Sequence, residues 1–569
     1  MEKDDKNEIE TENGDMDIAV NANDGGKRCA EAYHDTARLE DRATGGECLK
    51  TAGVGGGAPD TEIANIDGGV PETETDADDG VLNTKTEAAR EIFPKGLHAF
   101  LTKFMPHDRA AKLIACVLKS GVTGIFTGII VFFFRMGYAA LNGGGRYIYG
   151  LVAERPVFIP LLFLGLVILA AFMAAVLKFA PDSAGGGIPR SEGVVRGLLT
   201  FKWLRTLIAS VAGSFISFFA GLPLGTEGPC VQIGAAVSEG NNAAFKTVED
   251  NKRYVRTAGV AAGFAAATAA PIAALVFATE EANQKYDPFL VLSAGIGVLT
   301  AMAVASALSY AFGISGAFLE MGTIPALPLQ YIWSPLLIGA FAGIAAAVFN
   351  KLTARASAFF RDLLGKSMKN TKFKSIERFV QIKRLILLIA VFAATGLLGL
   401  FWGDATGSGD KLITVVSAGK LAWYVLLILL IVKTVFIIFS TSSGAVGGLF
   451  MPMLTLGAIT GGLAAEALTA AGVPDVYYPT LVAIGVCAFI GGAIRAPVTA
   501  VVLIIEATGS IVGGLYSIMA VFASITVLAI LRVDSVNDLI LAQLLTRKSA
   551  KSAENSDENS QIVAAVPKK

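Results

Sequence analysis

Two stretches, GTEGPCVQIGA at 225–235 and GLFMPMLTLGA at 448–458, align with Gly225 over Gly448, Pro229 over Pro452, Gly234 over Gly457 and Ala235 over Ala458, at an offset of 223 residues. Further on, APIAALVFATE at 270–280 falls on APVTAVVLIIE at 496–506, so that Pro271 meets Pro497 and Glu280 meets Glu506 at an offset of 226. Short Gly/Ala-rich segments can resemble one another by composition alone, but a shared Pro-to-Glu spacing argues against that origin. Two matches at nearly one offset indicate an internal duplication.

The repeated stretches sit in a chain that no water-soluble domain resembles in composition. Of 569 residues, 53% are hydrophobic and 17% charged, with 62 glycines and a mean hydropathy of +0.58. Stretches free of Asp, Glu, Lys and Arg run over 157–177, 206–226, 257–279, 288–319, 321–350, 385–403, 434–465 and 507–531. Each is long enough to cross about 30 Å of hydrocarbon as a helix, and weaker candidates at 113–133 and 476–494 bring the expectation to roughly ten crossings. The reading is an all-α polytopic membrane bundle built from an internal repeat. GGGIPR at 185–190, GLPLGTEGP at 221–229 and GAVGGLFMP at 444–452 predict helices broken within the membrane.

The formal net charge of −1 hides an asymmetry. Residues 1–90 carry 23 acidic and 9 basic side chains and show no sustained apolar period, which predicts a disordered acidic tail without a signal or transit peptide. Residues 91–549 form the expected membrane domain, and 550–569 a polar C-terminal tail. Five cysteines with no CxxC pair, and three histidines that all precede the first long apolar segment, give no metal or redox motif. No cofactor and no nucleic-acid partner is expected, and proton chemistry inside the bilayer falls to carboxylates.

A helix that begins at a Gly-rich break presents amide N–H groups that lack intrahelical acceptors and carries about half a positive charge. Two or three such termini would cradle an anion without a full cation in lipid. The bland reading is that the glycines merely allow close helix packing. Glu227 stands in the second break, with no other charge between Arg205 and Glu239. It is either a helix-capping residue or a functional acid. In the functional reading the ionised carboxylate competes with a diffusible anion for the same amides, and protonation frees the site, so anion and proton occupancy become linked. Glu280 and Glu281 end the run 257–279, either as an interfacial helix end or as acids that pass protons toward Glu227. Glu506 is expected to pair with Arg495.

GGGIPRSEG, GTEGPCVQIG, APIAALVFATEE and SGAVGGLFMPMLTLG, in that order, resemble the signatures of the CLC chloride channel and transporter family over roughly residues 100–548. The resemblance implies a homodimer with one ion pathway per subunit, each subunit an inverted repeat of mostly intramembrane helices. By position it implies that Glu227 is the gating and proton glutamate and that Glu281 is the intracellular proton-transfer acid, with Glu280 its neighbour. It further implies that Gly186, Gly187, Ile188, Leu449, Phe450 and Asn537 line the anion site.

Because the family's exchangers usually keep an acid at the position of Glu281 and its channels usually do not, the resemblance implies proton-coupled exchange of a small monovalent anion, most simply chloride, over a passive channel. The chain departs from the family pattern at three positions. Gly186 replaces a serine that supplies a hydroxyl to the anion, Asn537 replaces a tyrosine that completes the inner site, and Thr226 replaces the arginine of GREGP. These changes leave open loose coupling or passive conduction, and they imply a weaker outer field. Family topology puts the chain in a plasma or intracellular membrane with both termini cytoplasmic, which the basic clusters at Lys103–Lys112 and Arg547–Lys551 suit. No nucleotide-binding regulatory module is expected after Lys548.

Overall fold

The computed structural model describes residues 107–546 and 548, apart from 315–318, 320, 322–323 and 366–372. The expected tails at 1–90 and 550–569 lie outside the described residues. The described chain is all-helical, in two sets of eight helices followed by one more. The first set is α1 (His107–Glu154), α2 (Ile159–Phe179), α3 (Ile188–Val195), α4 (Trp203–Ala220), α5 (Glu227–Ala244), α6 (Glu249–Thr268), α7 (Pro271–Phe277) and α8 (Pro288–Phe312). The second is α9 (Ser334–Gly365), α10 (Phe373–Phe401), α11 (Asp410–Ser417), α12 (Trp423–Ser442), α13 (Phe450–Ala470), α14 (Tyr478–Ile494), α15 (Pro497–Thr508) and α16 (Ile511–Ile530). α17 (Val536–Thr546) closes the described bundle.

The duplication holds element by element. α3 and α11 are both eight residues long and both enter from a glycine at positive φ, Gly187 at 76° and Gly409 at 96°. α6 and α14 both end on a non-glycine residue in the left-handed region, Ala269 at φ 54° and Arg495 at φ 56°, and a proline then starts the next helix. Proline at the first helical turn needs no N–H, so each chain restarts at once in a new direction.

Two reciprocal contacts relate the halves by an approximate two-fold axis. Gly225 and Gly448 exchange backbone hydrogen bonds at 2.8 Å each way, an isolated antiparallel bridge between the two aligned breaks. The Glu280 carboxylate accepts from the amides of Val498 and Thr499 at the start of α15, at 3.1 and 2.7 Å. The Glu506 carboxylate does the same for Ile272 and Ala273 at the start of α7, at 2.9 and 2.8 Å. Each acid thus satisfies two orphan donors of the other repeat. Glu506 does not pair with Arg495 as expected. The left-handed turn at Arg495 sends its side chain to Asp534, 3.3 Å away.

Among the described residues ten helices are long and apolar enough to cross a membrane; they fall on every expected stretch except 257–279, and 434–465 touches two of them. The charge-free run 434–465 contains two of them in part, because α12 ends at Ser442 and α13 begins at Phe450. The run 257–279 is divided by the turn at Ala269–Ala270 between α6 and α7, and neither piece qualifies. Uncharged Gly, Ser and Ala break helices without interrupting a hydropathy run. α14 lies at the centre, with 89% of its apolar window buried, and α2 at the periphery, with 17%.

The candidate anion and proton site

The Gly225–Gly448 bridge places the first turn of α5 beside the first turn of α13, and the start of α3 packs onto both. A side chain at Gly228 would collide with the Gly186 carbonyl and approach the Gly448 Cα to 2.7 Å. A Cβ on Gly187, already at positive φ, would lie 2.5 Å from the Gly228 carbonyl. The glycines therefore do serve close packing, and what they pack together is the three helix breaks. The Leu449 and Phe450 amides at the entry to α13 meet no backbone acceptor outside the helices among the described residues, whereas the Ile188 amide turns back to Gly186 O at 2.9 Å.

Glu227 is 1% exposed and projects into this junction. Its Oε2 accepts from the Met451 amide at 3.3 Å, and its Oε1 accepts from the Thr226 hydroxyl at 3.1 Å. The carboxylate thus occupies an N-terminal donor of α13 in the opposite repeat, the placement in which a carboxylate excludes another anion. A cavity of about 550 Å³ opens on Glu227, lined among others by Thr226, Met451, Tyr138, Ser408, Asp410 and Arg135. Arg135 of α1 donates to Ala266 O at 3.2 Å. It brings a positive charge into the cavity that opens on Glu227.

At the other end of α3 the structure separates the two adjacent acids. Ala278–Asn283 form a single π-helical turn after α7, and the added residue directs Glu280 and Glu281 apart. Glu280 is held on α15, where the Thr499 hydroxyl also donates to it at 2.7 Å. Glu281 is 2% exposed and turns inward. There it accepts from Asn537 Nδ2 at 2.9 Å, and the same nitrogen donates to Glu192 of α3 at 3.2 Å. Asn537, at the start of α17, is thus brought to the carboxylates, and its amide nitrogen donates to both. Glu280 is not part of this group.

Sequence reasoning missed Glu192, Met451 and Arg135. Glu192 had a signal, as a lone acid within GGGIPRSEGVV, but Arg190 and Arg196 beside it gave it the look of a solvated face. Lys433, wholly buried in α12, was also unremarked, and it donates to Ala405 O and Gly407 O at 3.4 and 3.2 Å, closing the carbonyls ahead of α11. Among the described residues no group of His, Cys, Asp and Glu is arranged to hold a metal.

Gly186 permits a direct test of the donor it lacks. A Cβ built there would meet Leu449 N and Cγ at 3.9 Å, ordinary contact, with no positive φ to forbid a side chain. Gly186→Ser should fit and aim a hydroxyl at the junction. A hydrogen bond to a charged group contributes about 1.5–3 kcal/mol, so chloride binding by calorimetry is expected to tighten about tenfold or more.

The fold and the order of these motifs agree with known proteins. The family model described as "Voltage gated chloride channel" matches residues 167–529. The "H(+)/Cl(-) exchange transporter ClcA" of Salmonella typhimurium strain LT2 is 29% identical over 494 residues, covering 84% of this chain and 99% of that protein. The ClcA exchanger of Salmonella paratyphi B is likewise 29% identical over 483 residues, 83% of this chain and 97% of its own. A solved slow cyanobacterial Cl⁻/H⁺ antiporter superposes with a TM-score of 0.69 at 22% identity, over 76% of this chain and 99% of that one. A eukaryotic CLC transporter gives 0.61 at 20% identity, over 76% and 74%. The match to the family model spans well over half of the chain and contains Glu227, Glu281 and all three helix breaks, so this integral membrane protein belongs to the voltage gated chloride channel family, the CLC family.

Proposed function

We propose that the protein exchanges a small monovalent anion, chloride in the first instance, for protons across its membrane. The observation that carries this reading is the Glu227 carboxylate lodged on the Met451 amide at the head of α13. An acid that occupies an anion-binding terminus yields it on protonation, so one group links the two occupancies. The relatives named as H⁺/Cl⁻ exchangers support the same reading.

In this scheme the anion sits between the Gly186–Gly187–Ile188 turn and the Leu449 and Phe450 amides. Glu227 gates it, and Glu281 delivers protons from the cytoplasmic side. An anion contact from Asn537 requires its amide to leave one of the two carboxylates. The second reading, passive conduction or loose coupling, rests on the absent hydroxyl at Gly186 and on that diversion of Asn537. We assign a homodimer with lipid around it and both termini in the cytoplasm, on family resemblance and the flanking basic clusters.

The deciding experiment is proton uptake by purified protein in liposomes, driven only by a chloride gradient with the potential clamped at the proton equilibrium value. Uphill uptake is expected, and chloride flux without it would establish the passive reading. Glu280→Ala divides the acids further. It removes three hydrogen bonds at the start of α15 and should cost about 1–2 kcal/mol, read as a lower thermal midpoint, while proton uptake continues. Loss of uptake in a folded Glu280→Ala protein would instead make Glu280 the relay.

A further inference from the structure

We infer that the inner proton station is a pair of carboxyls, Glu192 and Glu281, that hold one proton between them, with Asn537 as the positioning residue that ties them together. The inference rests on the exchange reading for its direction of proton flow, and on geometry for the pair itself. Glu192 is 0% exposed. Its Oε1 accepts from Asn537 Nδ2 at 3.2 Å, and the same nitrogen donates to Glu281 Oε1 at 2.9 Å. The two oxygens therefore lie within about 6 Å of each other, a separation at which two buried like charges repel strongly. Among the described residues no donor hydrogen-bonds to Glu192 Oε2, an open acceptor inside the protein beside a second acid.

Charge balance sets the number of protons. The nearest cation is Arg196, whose Nη2 lies 3.8 Å from Glu192 Oε2 and donates to the Glu281 backbone carbonyl at 2.7 Å. One guanidinium compensates one carboxylate, and the second is compensated by a proton, as in other carboxyl pairs that share a site. Asp538 draws on the same guanidinium, 3.5 Å from Arg196 Nη1, but its side chain is 39% exposed to solvent, so the buried pair still needs its proton. Of the other charged groups on the packed elements, Glu280 caps α15, and Arg253 donates to Asn283 at 3.0 Å. Arg256 pairs with Glu239, Tyr254 donates to Asp287 at 3.0 Å, and Arg190 pairs with Asp182 at 2.7 Å. A tyrosine at 537 offers one hydroxyl hydrogen, which cannot serve both acids at once. An asparagine amide offers two, so the departure at this position turns a group expected on the anion into a clamp on the proton pair.

The test is a pH titration of the full-length protein in liposomes, followed by the infrared carbonyl stretch of buried protonated carboxyls, in the Glu227→Gln background so that the gate is silent. Adding Glu192→Gln removes the neighbouring charge. The midpoint at which the Glu281 proton is lost is then expected to move to lower pH by about one unit or more. Glu192→Asp keeps the charge and should hold the midpoint within a few tenths of a unit. Packing alone would favour the isosteric Gln over the shorter Asp, so a Glu192→Gln midpoint that stays put, or a Glu192→Asp midpoint that moves as far, overturns the pair.

Asn537→Ala carries the same test with the opposite sign should Glu192→Gln not fold. It deletes donors to the ionised forms, so its midpoint should move to higher pH, and an unmoved midpoint refutes the clamp. Chloride-driven proton uptake by the unmodified protein separates the two levels. Shifted midpoints without uptake keep the pair and refute exchange, whereas uptake with unshifted midpoints refutes only the pair.

Discussion

Glu227→Gln protein in liposomes is expected to carry chloride down its gradient while chloride-driven proton uptake falls by about 100-fold or more, to the leak of empty vesicles. The side chain keeps its size, and its amide oxygen can still accept from Met451 N, which the carboxylate meets at 3.3 Å. What it loses is the proton and the charge. A neutral amide binds the head of α13 less well than a carboxylate does, so a diffusible anion displaces it at any pH. Chloride flux, which in the unmodified protein should rise as pH falls and Glu227 is discharged, should therefore become nearly independent of pH. The pair of readings matters, because loss of proton uptake alone would follow from any misfolded protein. Chloride flux that stays high and flat with pH isolates the titrating group, and unchanged proton coupling would remove Glu227 from the mechanism.

The parts of this site that were legible in the sequence are those that local chemistry determines. A Gly-rich break followed by proline announces a helix start wherever it occurs, and the offsets of 223 and 226 residues announced that the breaks occur in matched positions. From these the convergence at Glu227 followed. Contacts that join distant segments were not legible. Glu280 reaches Thr499 across 219 residues, and nothing in APIAALVFATEE distinguishes the acid that caps a helix from its neighbour that faces inward. A π-helical turn, one residue longer per hydrogen bond than an α turn, makes that distinction, and the hydrogen bonds that hold Glu280 after it come from α15 in the other repeat. Hydropathy counted crossings well and placed them less well, since α6 is buried on nearly every side by small residues and reads from sequence like a lipid-facing span.

Glu281→Gln should also bring chloride-driven proton uptake down by about 100-fold, and yet leave a protein unlike Glu227→Gln. The gate remains an acid with access to protons through the cavity lined by Arg135 and Tyr138, so chloride flux should keep its rise toward low pH. Only the inner supply is cut. Two acids in series on one proton path also predict the double variant, Glu227→Gln with Glu281→Gln, to behave as Glu227→Gln alone, because a second break in a broken path removes nothing further. Independent roles would instead compound. If Glu281→Gln retains uptake, the proton has another carrier, and Glu192 is the one the structure offers, since it shares the Asn537 amide while Glu280 is fixed on α15. The pH dependence of chloride flux then decides the order of the acids. A flat profile belongs to loss of the gate, and a preserved slope belongs to loss of the relay behind it.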